Sequence, residues 1–294
     1  MTLLSFVAAL VGFVILAPLV GCFIAGVDRI LSARLQGRVG PPLLQPYYDV
    51  RKLLAKDNAE VNSFQGFYVA LSLVLAILSG VFFFAGGNLL LVVFIITLSA
   101  LFFIVAAYST RSPYAEIGAE REIVQVMSYE PMVILMTVAF VMVTGSFNVS
   151  SVFELARPLI ADMPLIFIGL VFILTIKLRK SPFDLSYSHH AHQELVKGIS
   201  TEMSGKTLAM VEVMHWYETV LFLGWVALFI VWGSWVAALA AVGAVIVVYL
   251  LEIFIDNNFA RVKWQHMLKW SWIVTFVCVL LNIFLFLWLR QPIV

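Results

Sequence analysis

Charged residues are scarce in this chain: Asp, Glu, Lys and Arg make up 12% of its 294 residues, while 63% of the residues are hydrophobic. Soluble globular proteins carry about a quarter charged residues, so the composition excludes that class. Cysteine is nearly absent as well, because the sequence has only Cys22 and Cys278, and each lies alone in an apolar stretch. The sequence therefore predicts neither a disulfide framework nor a thiolate metal site.

The chain also lacks the motifs that would make it an enzyme by itself. We find no nucleotide-binding glycine loop, no cysteine cluster and no nucleophile paired with a base. The net charge of +1 gives no indication of nucleic acid binding. Redox chemistry is therefore expected in other subunits, and we expect no catalytic centre, cofactor or metal ion in this chain.

Long hydrophobic runs dominate what is present. About twenty apolar residues cross a hydrocarbon core about 30 Å thick, and unbroken runs indicate helices rather than the alternating strands of a barrel. We predict an all-α polytopic membrane protein with a single transmembrane domain over residues 1–294. Its eight spans are expected at about 3–26, 67–85, 88–108, 123–145, 163–178, 208–231, 235–255 and 271–289.

Basic residues are distributed unevenly between the loops. Sixteen of the eighteen Lys and Arg residues follow odd-numbered spans, and only Arg157 and Arg290 lie on the other side. Because basic loops stay in the cytoplasm, we predict that both termini lie outside the cell membrane. The predicted cytoplasmic loops cover about 27–66, 109–122, 177–207 and 256–270. Such a one-sided chain favours a membrane subunit with a cytoplasmic platform over a stand-alone ion transporter.

Ionisable residues interrupt several of the spans, at a cost of roughly 2.5–3.5 kcal/mol each, so they usually face the protein interior and have a function. We predict a hydrated proton path formed by Glu130, Glu212, His215, Glu218, Glu252 and Asp256. No Lys or Arg lies within a helical turn of Glu130, Glu212 or Glu252. The alternative, that the acids only pair with basic residues at the cytoplasmic helix ends, stays open for Glu218 and Asp256.

Three of the predicted loops carry motifs in a fixed order. They are Arg34-x-Gln36-x-Arg38-x-Gly40-Pro41 with Gln45-Pro46, then Gly118-Ala119-x-Arg121-x3-Gln125-x2-Ser128-Tyr129-Glu130, and Pro182-Phe183-Asp184-Leu185 followed by Glu194-Leu195-Val196. Together these stretches resemble the eight-helix core membrane subunit of respiratory complex I. That subunit also occurs in the membrane arm of energy-converting nickel–iron (NiFe) hydrogenases.

The resemblance implies a subunit at the joint between a cytoplasmic redox arm and antiporter-like pumping subunits. The cytoplasmic loops would contact the arm, and buried carboxylates, beginning at Glu130, would lead protons into the membrane. The joint residues would be Arg34, Arg38, Arg121, Asp184, Glu194 and Glu202, and we expect His189 and His192 of the same platform to join them.

The middle of the third loop, "SYSHHAHQE", departs from the complex I pattern. There the segment is about three residues shorter and acidic, and a carboxylate common in quinone-reducing members falls here at His215. The form resembles the Ech-like branch of group 4 hydrogenases, in which ferredoxin supplies electrons and a partner subunit forms H2. His189 and His192 have the spacing for a shared metal, but no cysteine lies near, which favours protein docking or proton relay.

The sequence thus predicts a non-redox subunit of a membrane-bound, ferredoxin-dependent NiFe hydrogenase that couples electron transfer to H+ or Na+ translocation. Its expected partners are the large and small hydrogenase subunits, an Fe–S subunit, an antiporter-like subunit and the lipid membrane. The NiFe centre and the Fe–S clusters are expected in those partners. The alternative is a quinone- or phenazine-reducing complex I-like subunit, and a stand-alone transporter or a passive anchor explains fewer of the features.

Overall fold

The computed structural model describes residues 3–59, 62–180, 182–183, 186 and 197–289. The helices in these residues are α1 (Leu3–Leu35), α2 (Gln45–Leu54), α3 (Ser63–Phe84), α4 (Leu89–Tyr108), α5 (Pro113–Thr144), α6 (Leu159–Asp162), α7 (Pro164–Lys177), α8 (Gly205–Ile230), α9 (Trp235–Asn258) and α10 (Trp264–Leu289). Seven of them are long and apolar enough to cross a membrane: α1, α3, α4, α5, α8, α9 and α10. The remaining predicted span, at about 163–178, is the shorter helix α7. The prediction of an all-α membrane protein is confirmed.

Several helices extend beyond the predicted spans into the basic segments. Helix α1 continues to Leu35, α5 begins at Pro113, and α10 begins at Trp264. The predicted loop 109–122 is therefore mostly helical, and the loop 27–66 contains the end of α1 and all of α2. Hydropathy locates the apolar part of a helix, whereas the helix ends where its backbone hydrogen bonds end, so the predicted boundaries were wrong at these points.

Every second connecting segment along the chain lies at the same end of the bundle, which we call the polar end. It carries the carboxyl ends of α1, α4, α7 and α9 and the amino ends of α3, α5, α8 and α10. The contacts that join these segments are Arg29 to Asp49 (2.6 Å), Gln36 to Asn257 (2.9 Å), Asn62 to the carbonyl of Ser109 (3.2 Å), Ser112 to Glu202 (2.7 Å) and the Val262 amide to the Pro182 carbonyl (2.6 Å). All four predicted cytoplasmic loops therefore lie on one side.

The interior of the bundle is formed mainly by α5 and α8. In the most apolar window of α8 56% of residues are buried, whereas the corresponding share in α1, α9 and α10 is 22%. The exposed side chains of those three outer helices are largely apolar, as expected for surfaces that contact lipid or other membrane subunits. The central helices α5 and α8 also carry Glu130, Glu212, His215 and Glu218, so these ionisable residues lie where the chain can shield them from lipid.

Helix α2 packs beside α1 through a close backbone approach and a polar contact. A Cβ atom at Gly26 would lie 2.0 Å from the carbonyl oxygen of Leu43, just before α2. Arg29 of α1 and Gln45 of α2 both donate hydrogen bonds to Asp49, at 2.6 and 2.8 Å. Burial alone would raise the pKa of Asp49, but these hydrogen bonds and the charge of Arg29 hold that pKa below its usual range.

Gly26→Ala should therefore destabilise the protein by about 1–3 kcal/mol, because its methyl group displaces the backbone before α2. Gly12→Ala is the matched control on the same helix, since nothing lies within 4 Å of a Cβ atom there. Alanine is the better helix former, so the control should unfold at the same temperature as the wild type or higher. Thermal unfolding of the detergent-solubilised protein measures both, and equal melting temperatures of the two variants would contradict the close approach.

Candidate functional site

The shortness of α7 brings three basic residues into the bundle. Its 14 residues rise by about 21 Å, which is less than the roughly 30 Å of a hydrocarbon core. Lys177 ends the helix, and Arg179 and Lys180 follow, with side chains that are only 14% and 4% exposed. Arg179 has a left-handed backbone with a φ of 55°, which is uncommon for a residue other than glycine. Because of this turn, Lys180 points to other helices than Lys177 and Arg179 do.

Lys177 and Arg179 face α4, α5 and α8. The Lys177 ammonium lies 3.4 Å from the centre of the Tyr129 ring and 4.8 Å from that of Phe222. Arg179 donates to Glu122 at 3.3 Å, and the hydroxyl of Ser186 donates to the same buried carboxylate. A buried carboxylate is tolerable when it is paired and hydrogen-bonded, so Glu122 holds Arg179 at this position.

Lys180 faces the other way, towards α1 and α9. Its ammonium donates to Asp28 at 2.7 Å and lies 3.7 Å from an oxygen of Asp256. It also lies 5.4 Å from the centre of the Tyr249 ring. Lys180 thus connects α7 to two outer helices that share few other polar contacts with it.

A cavity with a volume of about 480 Å³ opens between α1, α7, α8 and α9. Its charged and titratable lining residues are Asp28, Arg29, Arg38, Lys177, Arg179, Lys180, Glu212, His215, Glu218, Tyr249 and Asp256. A space of this size with so many polar groups is large enough for several water molecules. Four of the six residues predicted for the proton path therefore converge on one cavity at the polar end.

The other two predicted path residues lie just beyond the cavity. Glu252 is fully buried on α9, one helical turn deeper than Asp256, with Thr175 of α7 beside its carboxylate. Glu130 is half-buried on α5 and interacts electrostatically with Lys177. No cation is close to either acid along the sequence. In the folded protein, Lys177 at the end of α7 interacts with Glu130, and Lys180 just after α7 interacts with Glu252. Asp256 likewise faces a cation, because its carboxylate lies 3.7 Å from the Lys180 ammonium.

The predicted joint residues within the described chain lie at the polar end. Arg34 and Arg38 are exposed at and after the end of α1, and Arg38 donates to Gln36. Arg121 lies 5.2 Å from the centre of the Trp264 ring, and Glu202 accepts a hydrogen bond from Ser112. Asp184, His189, His192 and Glu194 lie outside the described residues. In the described part, no group of three or more His, Cys, Asp or Glu side chains could hold a metal ion.

Sequence reasoning missed the residues that organise this site. Lys177, Arg179 and Lys180 were counted as loop charges, and Glu122 was assigned to a loop that is helical. A signal was present in the short apolar run 163–178, because a run too short to span places its flanking charges inside the membrane.

Comparison with known proteins identifies the family. A family model described as NADH dehydrogenase matches residues 7–287, which is nearly the whole chain. The chain belongs to this family. The match extends from the first predicted span to the last, and the resemblance derived from the three ordered motifs is confirmed.

Curated relatives in the NADH dehydrogenase family come from both hydrogenase complexes and complex I. Formate hydrogenlyase subunit 4 of Escherichia coli (strain K12) is 28% identical, over 90% of this chain and 92% of its own length. Hydrogenase-4 component C of the same organism is also 28% identical, over 89% and 90%. An NADH-quinone oxidoreductase subunit of Geobacillus sp. (strain WCH70) is 28% identical, over 87% and 85%. The chain is a membrane subunit of this general type.

A solved structure has the same fold. It is a chain from the structure of the membrane-bound sulfane sulfur reductase, an archaeal respiratory membrane complex. The TM-score is 0.81, the sequence identity is 23%, and the match covers 95% of this chain and 99% of that chain. At this level of identity the likeness concerns the fold alone.

Breaking the pair of Arg179 and Glu122, whose side chains are 14% and 4% exposed, should cost far more stability than breaking the pair of Arg157 and Asp162, whose side chains are 62% and 10% exposed. Arg179→Gln leaves a buried carboxylate without its cation and should cost about 3 kcal/mol. Arg157→Gln, the matched control, should cost less than about 1 kcal/mol. Chemical denaturation of the solubilised protein measures both, and similar losses would show that Glu122 does not depend on Arg179.

Proposed function

We propose that this chain couples ferredoxin-linked electron transfer in a NiFe hydrogenase complex to the translocation of H+ or Na+ across the membrane. In this proposal the polar end docks the cytoplasmic NiFe and Fe–S subunits, and an antiporter-like subunit lies beside the chain in the membrane. The observation that carries the proposal is the cavity at the polar end, where Glu212, His215, Glu218 and Asp256 meet.

The cavity supports a proton path because it has room for water beside carboxylates in different environments. Its acids line the cavity, while Glu252 is fully buried on α9 and Glu130 is half-buried on α5, outside the lining. The cations at the end of α7 lie between the two groups and interact electrostatically with acids of both. A change of charge at the docked arm then alters the relative cost of ionising each acid.

The distribution of charge supports docking at the polar end. The segments that meet there carry sixteen of the eighteen Lys and Arg residues of the chain. We assign this end to the cytoplasm and both termini to the outside. Arg34, Arg38, Arg121 and Glu202 are proposed as contacts of the redox arm, together with Asp184, His189, His192 and Glu194 from the segment outside the described residues.

A quinone- or phenazine-reducing complex I-like subunit is the second candidate. The volume of about 480 Å³ favours it, because small-molecule sites commonly have volumes of about 300–1,000 Å³ and contain aromatic side chains such as those of Trp216 and Tyr249. Against it stand the histidine-bearing third loop and the presence of His215 in the cavity. The relatives named as hydrogenase components also support the hydrogenase proposal.

The composition and electron donor of the native complex distinguish the two candidates. A complex purified through a tag on this chain should contain nickel and Fe–S subunits and should form H2 from reduced ferredoxin. Quinone reduction should be absent, because the proposed electron path ends at the NiFe centre. Formate and NADH serve as alternative donors in the same assay. A bound quinone or phenazine, or quinone reduction without H2 formation, would favour the second candidate instead.

Removing single carboxylates tests the coupling role. Glu212→Gln, Glu218→Gln and Glu130→Gln should each reduce ion uptake per H2 formed in proteoliposomes to background, because the path loses an ionisable group. Glu154→Gln, at an exposed turn of the opposite end, is the matched control and should keep the wild-type yield.

The readouts are H2 by gas analysis and ion uptake by a pH dye or by 22Na+. A passive anchor would keep both H2 formation and ion uptake in every variant, which would contradict the proposal. A protonophore collapses a gradient of H+ but not a primary gradient of Na+, so its effect on the wild-type complex identifies the ion.

A further inference from the structure

Glu252 and Asp256 form an acid pair whose members differ sharply in access to water. They are four residues apart on α9, so both lie on one face of the helix. Asp256 lines the cavity, whereas Glu252 is fully buried one turn deeper. A carboxyl group at the water boundary thus stands next to one that has no contact with water. A single proton can be exchanged between them only if the negative charge it leaves behind is stabilised at both positions.

Lys180 is the cation that reaches both members of this pair. Its ammonium is 3.7 Å from Asp256, and it attracts Glu252 electrostatically, while Asp256 repels Glu252. A second carboxylate, Asp28, holds the ammonium at 2.7 Å from the side of α1. The Lys180 side chain is 4% exposed and lies at the wall of the cavity.

Other charged groups of the described residues lie near the pair. Those facing the same cavity are Arg29 and Arg38 from the α1 side, Lys177 and Arg179 at the end of α7, Glu212, His215 and Glu218 on α8, and Tyr249 on α9. Lys177 and Arg179 face α4, α5 and α8, as their contacts with Tyr129 and Glu122 show. After the turn at Arg179, the Lys180 side chain therefore points towards α1 and α9, where it contacts Asp28 and Asp256.

We propose that Lys180 is a positioning residue that follows the negative charge shared by Glu252 and Asp256. A proton on Asp256, taken from cavity water, moves to the Glu252 carboxylate, which leaves Glu252 neutral and Asp256 ionised. The ammonium keeps its three protons throughout and shifts towards whichever carboxylate is ionised, while Asp28 anchors it. Lys180 thereby stabilises both charge states of the pair, so that a proton can enter the buried part of the path. This inference rests on the proposed proton path.

Infrared titration of the solubilised complex tests the electrostatic role directly. The carboxylic acid C=O band of Glu252 is identified as the band that disappears in Glu252→Gln. In Lys180→Met the midpoint of its titration should differ from that of the wild type, because the cation that interacts with the Glu252 carboxylate is gone. Lys180→Arg keeps the charge and should keep the midpoint within a few tenths of a unit of the wild type. An unchanged midpoint in Lys180→Met would overturn the inference.

A double variant separates this role from a purely structural ion pair. Lys180→Met with Asp28→Asn removes the cation and its anchor together, so it should restore assembly and H2 formation wherever Lys180→Met alone lowers them. Ion uptake per H2 should stay lost in the double variant, because Glu252 and Asp256 still lack their shared cation. Restored ion uptake would instead show that Lys180 only stabilises the packing of α7 against α1 and α9, and would contradict the inference. Arg157→Gln, which removes an exposed cation at the opposite end of the bundle, is the matched control and should keep the wild-type yield.

The two experiments also separate this inference from the proposed function. A wild-type complex that moves no ions would contradict the proposed function. The infrared titration needs no ion transport, so it can still be carried out on such a complex. The midpoint in Lys180→Met would still decide whether Lys180 controls the ionisation of Glu252.

Discussion

The arrangement of this protein depends on three cations at the end of a helix that is too short to cross a membrane. Lys177, Arg179 and Lys180 enter the bundle from α7 and require acids close by, because an unpaired charge is costly in a low dielectric. Helices α1, α5, α8 and α9 each provide such acids. The apolar side chains specify these faces only weakly, since lipid is as apolar as the helix interfaces. Electrostatic pairing therefore selects which faces of the surrounding helices point inwards.

The same constraint connects the outer surface of the polar end with the buried acids. Arg38, which is exposed, donates to Gln36, and Gln36 donates to Asn257 on α9 at 2.9 Å. Asn257 also donates to Ser32 of α1 at 3.1 Å. These contacts lie beside Asp256, so a protein that binds Arg38 acts on α9 one residue from the cavity. The exposed surface at Arg38 and the wall of the cavity are thus joined by a few short polar contacts.

Sequence reasoning predicted the elements that depend on local patterns. The eight apolar segments, the common side of the basic loops and the family motifs follow from composition and order along the chain. Four path residues also met in one cavity, because ionisable groups in apolar helices face inwards. The partners of these acids were not predictable in this way. Lys180 and Asp28 are 152 positions apart, and nothing in the pattern around either residue indicates the other. The ends of α1 and α5 were also missed, because polar helical turns leave no hydropathy signal.

The acids around α7 outnumber the cations, which bears on the choice between ion pairing and proton transfer. In the described part of the site, Lys177, Arg179 and Lys180 are surrounded by Asp28, Glu122, Glu130, Glu218, Glu252 and Asp256. Three cations neutralise at most three of these six carboxyls, so ion pairing by itself leaves the others either hydrated or protonated. Asp256 can be hydrated because it lines the cavity, whereas Glu252 is fully buried. In the proposed proton path, pairing and proton binding are therefore two states of one cluster, and a proton that moves within it changes which acids are paired.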